Sequence, residues 1–376
     1  MRDLLTEKAT GLAPTRITGK LPLGLGDRQH AVTQLKERLI ETGDLGYFAR
    51  LDWHFDAELE EALQRFQTRS GLEDTGILDD RTLAELNLPI EEEIERIALS
   101  LERWRWMPRK LGKRHIIVNI PNYKVEMYDG HQLILDMVAV VGAARYPTPN
   151  FSRDMSYIEF NPTWTVPSRI VNEELVPRER RRPGYLASRN FAFFRHTGKG
   201  LREVPASSVP RSAFRQTPFP YVLRQRSGAG NALGRMKFMM PNPHAIYLHD
   251  TQAKELFEHH DRAYSHGCIR LGDPEYFARL LMRLDGRSES EIEQALAERE
   301  THRVRLRSRI PTHLIYMTTW VDAYGAIQHR RDVYQHDANL VAALKRANTL
   351  LNVMNTLDVA TVEIKDRNLN ALLASR

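Results

Sequence analysis

Two short segments bring together the residue types of a thiol-based catalyst. They read YLHD at 247–250 and YSHGCIR at 264–270, and the second contains the single cysteine of the chain. If both segments are strands, alternate residues share a face and the aliphatic residues enter the core. The side chains left on the opposite face are then Tyr247, His249, Cys268 and Arg270. A nucleophile, a base and a cation would line one cleft.

Cys268 and His249 have the chemistry of a nucleophile and its general base. A free thiol is only weakly ionised at neutral pH, so an imidazole within hydrogen-bond reach is needed to take its proton. The imidazole needs an acceptor on its other nitrogen, and Asp250 offers either its backbone carbonyl or its carboxylate. Gly267 permits close approach of a substrate carbonyl, and the amides of Gly267 and Cys268 could form an oxyanion hole.

The same residues allow other interpretations. A lone cysteine is often a buried small hydrophobic residue. The histidines around Cys268 could instead bind zinc, although neither an HExxH nor a CxxC motif is present. The glycines of residues 228–234 have the spacing GxGxxxG rather than GxGxxG and lack a βαβ context, which argues against a dinucleotide site.

The composition is that of a folded protein with two or three domains. The chain has 376 residues, of which 42% are hydrophobic and 27% are charged, and its formal net charge is +6. These values exclude a largely disordered chain, and no apolar run approaches the roughly 18–20 residues of a membrane span. A single cysteine excludes an internal disulfide. The mean charge is too low to indicate a nucleic-acid partner, and none is expected.

Residue patterning predicts an α+β multidomain chain. Residues 1–26 are predicted to be a linker or arm, and three short helices are predicted to form a bundle at 27–88, with Asp79 capping the third. A β-rich domain is expected over 89–336 and a helical tail over 337–376. The β-rich domain is expected to open with a helix whose apolar stripe consists of Ile90, Ile94, Ile97, Leu101 and Trp104.

A basic insertion interrupts the strand pattern at about 168–231. It holds 13 basic and four acidic residues, a charge of +9 that exceeds the net charge of the whole chain. An insertion of this length in a compact domain is usually a functional lid or a disordered excursion. Its basicity indicates that it faces something anionic, whereas the simpler interpretation is a solvated loop.

The segment at 27–88 resembles the peptidoglycan-binding domain type 1 family. The resemblance rests on Phe66-Gln67, on the turn Gly71-Leu72-x-Asp74-x-Gly76 and on Thr82-x-x-x-Leu86-Asn87. It implies a small helical module that holds its chain on peptidoglycan. A helical docking domain without a ligand remains the alternative.

The two catalytic segments resemble the signature of the L,D-transpeptidase (YkuD-domain) family. His249 is followed, after fifteen residues, by Ser265-His266-Gly267-Cys268-x-Arg270. Further segments resemble the large, YcbB-like branch of that family: LERWRWMP at 101–108, VNIPNY at 118–123, the Pro147-Thr148-Pro149 turn, NPTWTVP at 161–167, NALG at 231–234 and IYLHDT at 246–251.

The resemblance implies a β-rich catalytic domain with a capping insertion and a reaction on peptidoglycan stem peptides. Cys268 would attack a tetrapeptide donor between diaminopimelate and D-Ala, and a diaminopimelate amine on a second stem would accept the acyl group, giving a 3→3 cross-link. His249 would be the base and the Asp250 carbonyl its orienter, while His266 and Gly267 would shape the oxyanion site. Substrate contacts would come from Arg270, Tyr247, Ser265, Trp164 and Asn231. No metal or organic cofactor is implied, and carbapenems are expected to acylate the thiol.

The resemblance also implies a periplasmic location, because the substrate lies outside the cytoplasm. The N-terminus has no apolar signal region, so the expectation is that the signal is missing from this sequence. Two alternatives remain open. An L,D-carboxypeptidase would pass the acyl group to water, and a wall-binding protein would show no turnover.

Overall fold

A computed structural model describes residues 14–322 and 325–346. Contacts between residues divide the chain into two units. The first unit runs to Arg109 and resumes at Tyr316, and the second spans Lys110–Ile315. The chain is therefore an α+β protein with a helical first unit and a β-rich second unit, as the sequence predicts.

Three short helices form the predicted bundle in the first unit. They are α1 His30–Glu41, α2 Ala57–Arg69 and α3 Asp80–Leu86. Asp56 caps α2, because its carboxylate accepts from the N–H of Leu59 at 2.9 Å. Asp79 caps α3 in the same way through the N–H of Thr82 at 2.7 Å, which confirms the predicted cap.

The predicted linker at 1–26 is wrong for its second half. Ile17 and Leu23 are each only 2% exposed and belong to the apolar core of the bundle. Leu23 and Leu78 exchange backbone hydrogen bonds of 3.1 and 2.8 Å. Residues 14–26 are therefore part of the helical domain, because their aliphatic side chains complete its core. The first half of the predicted arm lies outside the described residues.

Helix α4, Ile90–Arg105, follows the bundle. Its predicted apolar stripe is wrong at Leu101 and Trp104, which are 39% and 41% exposed. The buried face includes Arg103 instead, whose guanidinium pairs with Asp337 at 2.5 Å. The buried face of this helix therefore combines apolar residues, Ile94, Ala98 and Leu99, with this ion pair.

The C-terminal part of the first unit differs from the predicted domain boundaries. It holds an antiparallel hairpin of Thr319–Val321 and Ile327–His329, and a helix at His336–Arg346. The sequence assigns α4 and this hairpin to the catalytic domain, whereas contacts group both with the first unit. The helix agrees with the predicted start of the tail, and residues 347–376 lie outside the described residues.

A nine-stranded sheet dominates the second unit, in the order β11-β3-β12-β10-β9-β4-β13-β1-β2. Strand β2 also pairs with β3, so the sheet closes on itself. Its strands are β1 Arg114–Asn119, β2 Lys124–Asp129, β3 Gln132–Gly142, β4 Phe151–Phe160, β9 Met236–Met239, β10 Leu248–His249, β11 Ala263–Ser265, β12 Ile269–Leu271 and β13 His302–Ile315.

The insertion between β4 and β9 is a folded subdomain rather than an irregular loop. We call residues 164–225 the cap. Its four-stranded sheet has the order β5-β8-β6-β7. The strands are β5 Trp164–Thr165, β6 Phe191–Thr197, β7 Gly200–Val204 and β8 Val222–Gln225, and the helices are α5 Ser168–Ile170, a π-helical turn Val171–Leu175, α6 Val176–Arg181 and α7 Tyr185–Ser188. The cap has an apolar cluster of its own, which includes Phe193, Phe219 and Leu223.

Two helices after β12 complete the core of the nine-stranded sheet. They are α8 Pro274–Leu284 and α9 Glu289–Ala297. Phe277 and Leu281 of α8 are fully buried and belong to the same apolar cluster as Phe238 of β9. The Phe238 and Phe277 rings lie 4.8 Å apart. This packing fixes β9, β10 and β12 from the core side.

Candidate active site

The predicted division into a core face and a cleft face is confirmed for the residues that lie in β10 and β12. Leu248, Ile269 and Leu271 are fully buried in the core, and Ile246 is 7% exposed. Strands β10 and β12 run parallel, with His249 directly opposite Arg270. Side chains opposite each other in a sheet share a face.

The structure resolves how Asp250 orients His249. His249 Nδ1 hydrogen-bonds the backbone carbonyl of Asp250. Because a carbonyl only accepts, Nδ1 carries the proton and Nε2 has the free lone pair. The Asp250 carboxylate is engaged elsewhere, since it accepts from the N–H groups of Arg235 and Thr251 at 2.8 and 2.7 Å and from Lys254 Nζ at 2.9 Å. The carbonyl is the orienter, and the carboxylate fixes the turn that presents it.

Burial keeps the candidate base and nucleophile neutral at rest. Burial, aided by the Arg270 charge, lowers the pKa of His249 to about 3. Burial raises the pKa of the Cys268 thiol, although the backbone and hydroxyl of Tyr247 and the charges of Lys237 and Arg270 oppose that rise. Both groups therefore begin as thiol and imidazole, and the thiolate must be generated in the reaction.

Tyr247 connects the thiol to the cap. The Ile269 N–H donates to the Tyr247 carbonyl at 3.1 Å, which places Tyr247 beside Cys268, and both Cys268 and Trp164 of β5 influence the pKa of the Tyr247 phenol. Burial raises the pKa of Tyr247, and the Cys268 charge adds to that rise, so the phenol remains a donor. The structure thus brings together Tyr247 and Trp164, which the sequence lists only as separate substrate contacts.

Ser265 and Thr148 hold the loop that carries the thiol. Ser265 Oγ donates to the Cys268 carbonyl at 2.5 Å and accepts from the Gly267 N–H at 3.0 Å. Thr148 Oγ1, fully buried, donates to the Gly267 carbonyl at 2.8 Å. Gly267 has a φ of +107°, which favours glycine.

This loop geometry changes two predicted roles. The Gly267 N–H is already engaged by Ser265, so the expected oxyanion donor pair reduces to the Cys268 N–H. Ser265 is 2% exposed and its hydroxyl bonds within the loop, which assigns it to loop support rather than to substrate contact. Sequence reasoning missed Thr148 as a support because 119 residues separate it from Gly267.

Asn231 is also a structural residue in this geometry. It is 1% exposed, and its Nδ2 donates to the carbonyls of Pro162 and Arg226 at 3.0 and 2.9 Å. Its Oδ1 accepts from the Leu233 N–H at 2.8 Å. The side chain closes the loop before β9 and has no group left for the predicted substrate contact.

His266 contacts the cap. Its Nε2 hydrogen-bonds the carboxylate of Glu174, and its ring lies 4.4 Å from that of Tyr146. The Tyr146 hydroxyl donates to Glu173 at 2.6 Å, and Arg169 lies 4.3 Å above the Tyr146 ring. Sequence reasoning missed this cluster, because 92 residues separate His266 from Glu174 and no local pattern connects them.

Arg270 is half-buried beside the thiol. Burial lowers its pKa, and the charges of Cys268 and Glu255 act in the opposite direction. Among the described residues its Nε is buried without a hydrogen-bond partner. A guanidinium with an open donor beside a nucleophile suits an anionic group of a substrate.

The described part of the chain contains neither a group of metal ligands nor a membrane-spanning helix. Within residues 14–322 and 325–346, no three His, Cys, Asp or Glu side chains come together as metal ligands would. Over the same residues, no helix has the length and apolarity that crossing a membrane requires.

Comparison with known proteins identifies the family of both domains. Residues 113–293 match the L,D-transpeptidase catalytic domain (YkuD), and residues 28–86 match a "Putative peptidoglycan binding domain". The chain thus contains an L,D-transpeptidase catalytic domain, which follows a domain of the peptidoglycan-binding family. Assignment to the large branch of that family stays a prediction.

One curated relative extends the match. A Haemophilus influenzae protein described as "Putative L,D-transpeptidase" is 33% identical over 246 residues, which are 65% of this chain and 49% of that protein. The chain thus spans about half the length of this relative.

Solved structures show weaker similarity. An L,D-transpeptidase from Mycobacterium smegmatis is 13% identical, with 54% of this chain and 58% of that chain covered and a TM-score of 0.24. An L,D-transpeptidase from Stackebrandtia nassauensis is 12% identical, with 81% and 97% covered and a TM-score of 0.28.

Proposed function

We propose that this protein is a peptidoglycan L,D-transpeptidase that forms 3→3 cross-links through a thioester on Cys268. The observation that carries the proposal is the pairing of β10 with β12, which places His249 opposite Arg270 and next to the segment that begins with Cys268, while the Asp250 carbonyl holds His249 with Nε2 free. The catalytic family of residues 113–293 supports the same reaction class.

The first half-reaction follows from the protonation states of the two groups. His249 Nε2 takes the Cys268 proton, and the thiolate attacks the carbonyl between the third and fourth stem residues. The C–N bond then breaks, and the imidazolium returns its proton to the departing D-Ala amine. A thioester remains on Cys268. The Cys268 N–H is the proposed donor to the oxyanion of the tetrahedral intermediate.

The second half-reaction reverses this sequence with a different amine. A diaminopimelate side-chain amine attacks the thioester, an amide forms, and the C–S bond breaks. The amine loses a proton to His249, and the sulfur leaves as a thiolate that takes a proton again. Arg270 and the basic cap would bind the free carboxylates of the stems.

The proposal also covers location and attachment. The peptidoglycan-binding family of residues 28–86 supports a tether that raises the local concentration of the enzyme on an insoluble polymer. Peptidoglycan lies outside the cytoplasm, so the proposed location is the periplasm. Carbapenems are the proposed inhibitors, because acylation of the thiol would trap the thioester.

Product mass tests the proposal. The full chain is incubated with purified tetrapeptide muropeptides, and we expect a cross-linked dimer that has lost one D-Ala. A shortened tripeptide alone would indicate hydrolysis, and no product would indicate a wall-binding protein. Intact-mass spectrometry should show one carbapenem adduct on the parent and none on Cys268→Ala. Cross-linking by folded Cys268→Ala would rule out the thiol mechanism.

A further inference from the structure

A row of side chains crosses the catalytic sheet and ends at the active site. The pairing of β13 with β4, β4 with β9, β9 with β10 and β10 with β12 places five residues directly opposite one another. Residues opposite each other point to the same face of a sheet. In spatial order the row is Arg303, Glu159, Lys237, His249 and Arg270. Four of the five are residues of charged types, and the fifth is the buried His249.

Of the three members of this row that the proposed mechanism does not use, Lys237 lies nearest to His249, directly opposite it on β9. Its neighbours Met236 and Phe238 are buried in the core, so the lysine side chain points to the cleft. Its Nζ lies 4.2 Å from the centre of the Tyr247 ring, and the Ile269 N–H donates to the Tyr247 carbonyl at 3.1 Å, which places Tyr247 beside Cys268. A lysine on an otherwise apolar strand is the sequence signal that marks this position.

Glu159 does not use the Lys237 charge for an ion pair of its own. Its carboxylate is 6% exposed and pairs with Arg303 Nε at 2.7 Å. Arg303 also lies 5.2 Å from the centre of the Tyr157 ring, which holds the guanidinium over Glu159. The Glu159 charge still acts on Lys237 across the strand pair, but its hydrogen-bonded ion pair is with Arg303, so the ammonium of Lys237 is not tied to that carboxylate.

We propose that Lys237 is a positioning residue of the nucleophile, whose ammonium stabilises the Cys268 thiolate directly through space and by holding the Tyr247 ring. The inference rests on the proposed function, in which Cys268 is the nucleophile. Lys237 exchanges no proton in the reaction: the thiol proton goes to His249, and the ammonium stays charged throughout. Burial lowers the pKa of Lys237, and the charges of Glu159 and then of Cys268 oppose that fall. Lys237 in turn lowers the pKa of Cys268, which agrees with this role.

Other groups also face the thiol and must stay constant in any test. His249 approaches from β10 and Tyr247 from the residue before it, and Arg270 lies on β12, two residues after the thiol. Other groups act on the thiol indirectly. His266, on the same loop, hydrogen-bonds Glu174 of the cap, and the Glu255 charge acts on Arg270. All of them are unchanged in Lys237 variants, so a shift between parent and variant reports the lysine.

The single cysteine allows a direct measurement on the full chain. The rate of Cys268 alkylation by iodoacetamide is followed from pH 6 to 10.5 in the parent, Lys237→Met and Lys237→Arg. We expect Lys237→Met to move the midpoint to higher pH and to slow alkylation at pH 8 by about tenfold, the effect of a one-unit pKa shift. Lys237→Arg keeps the charge and should stay within about threefold of the parent.

A matched control separates this role from packing. Lys124→Met removes a lysine that pairs with Asp136 elsewhere on the same sheet, and its alkylation profile should match the parent. If folded Lys237→Met has the parent's alkylation midpoint, the inference is wrong.

Glu159→Gln provides a test that does not depend on the folding of Lys237→Met. Loss of the carboxylate frees positive charge in the row, so the alkylation midpoint should move to lower pH. An unchanged or higher midpoint would contradict the proposed charge row.

The alkylation readout needs no turnover. A protein that fails to cross-link muropeptides but shows the lysine shift would disprove the proposed function and keep this inference. A protein that cross-links muropeptides but shows no lysine shift would support the proposed function and disprove this inference.

Discussion

The catalytic strands and the cap lie in one unit, but different forces hold them. On β10 and β12 every second side chain is buried in the core, and the loop that carries Cys268 is fixed by buried hydrogen bonds from Ser265 and Thr148. The cap has its own apolar cluster and meets the catalytic loop through polar contacts of Glu173 and Glu174.

This difference separates the forces that position the proposed catalytic residues from those that hold the cap over them. Apolar packing sets the positions of nucleophile and base and is insensitive to salt and pH. Contacts between partly exposed ionic groups are screened by salt and contribute little each. The strands should therefore keep their geometry when the cap is perturbed. Such a perturbation should weaken substrate binding by the cap without unfolding the domain.

The largest expected effect is on the strand side of this comparison. His249→Ala removes the proton acceptor of the thiol, and loss of a positioned general base costs roughly 10²–10⁴ in rate. We expect carbapenem acylation, followed by intact mass over time, to slow within that range. His259→Ala and His260→Ala are the controls, because both side chains are exposed in the connecting segment, and both should match the parent. An inactive His260→Ala beside an active His249→Ala would overturn the assignment of the base.

The strand side was also the part that could be predicted from the sequence. The alternation of Leu248 with His249 and of Ile269 with Arg270 has a period of two, which fixes the faces without knowledge of the rest of the chain. The spacing around Cys268 and the resemblance supplied the roles. The choice between the Asp250 carbonyl and carboxylate could not be made from spacing, because it depends on the turn that Arg235 and Lys254 close.

The charge of the cap was enough to locate it in the sequence, but its fold could not be predicted. Its strands are rich in arginine, so the two-residue period is hidden, and its core comes from aromatic residues far apart in sequence, such as Phe193 and Phe219. The contacts of Glu173 and Glu174 with Tyr146 and His266 depend on how the cap docks. Lys237 was missed because its importance follows from the register of β9 with β10 rather than from its neighbours in sequence.

The next effect concerns the contacts between cap and loop. In Glu173→Gln/Glu174→Gln the acceptors for Tyr146 and His266 lose their charge, and the contacts between the cap and the catalytic loop should weaken. We expect the KM for muropeptides to rise about two- to fivefold, a modest change because exposed ion pairs are weak. Alkylation of Cys268 by iodoacetamide should be unchanged or faster, since the small reagent needs no cap.

Glu203→Gln is the matched control for this double variant. Glu203 of the cap pairs with Arg226, the residue that follows the cap, and takes no part in the contacts with Tyr146 and His266. Its KM should equal that of the parent. Slower alkylation in the double variant would mean that these contacts support the thiol itself, and the separation between strands and cap would fail.

A smaller effect is expected from the exposed arginines of the cap. Arg180, Arg181 and Arg182 are exposed at the end of α6. Their joint replacement by Gln should raise the muropeptide KM at low salt, and less at high salt, where screening already weakens attraction to the stem carboxylates. Steady-state kinetics at two ionic strengths measure this difference.

Charge position is tested by moving the same neutralisation elsewhere on the cap. Arg202, Arg211 and Arg215 are also exposed, so their triple Gln variant removes an equal charge. An equal rise in KM would indicate a general field of the cap, and no rise in either variant would leave these arginines as ordinary solvated surface.

The smallest expected change is in the pH profile of acylation. Burial lowers the pKa of His249 to about 3 and raises that of Cys268, so neither group changes protonation between pH 5 and 8. The neutral imidazole is present throughout that window and would be lost only as the pH falls toward 3. We expect the kcat/KM for carbapenem acylation to vary less than about twofold there. The profile is measured in the parent protein, and an acid limb near pH 6.5 would contradict the buried neutral His249.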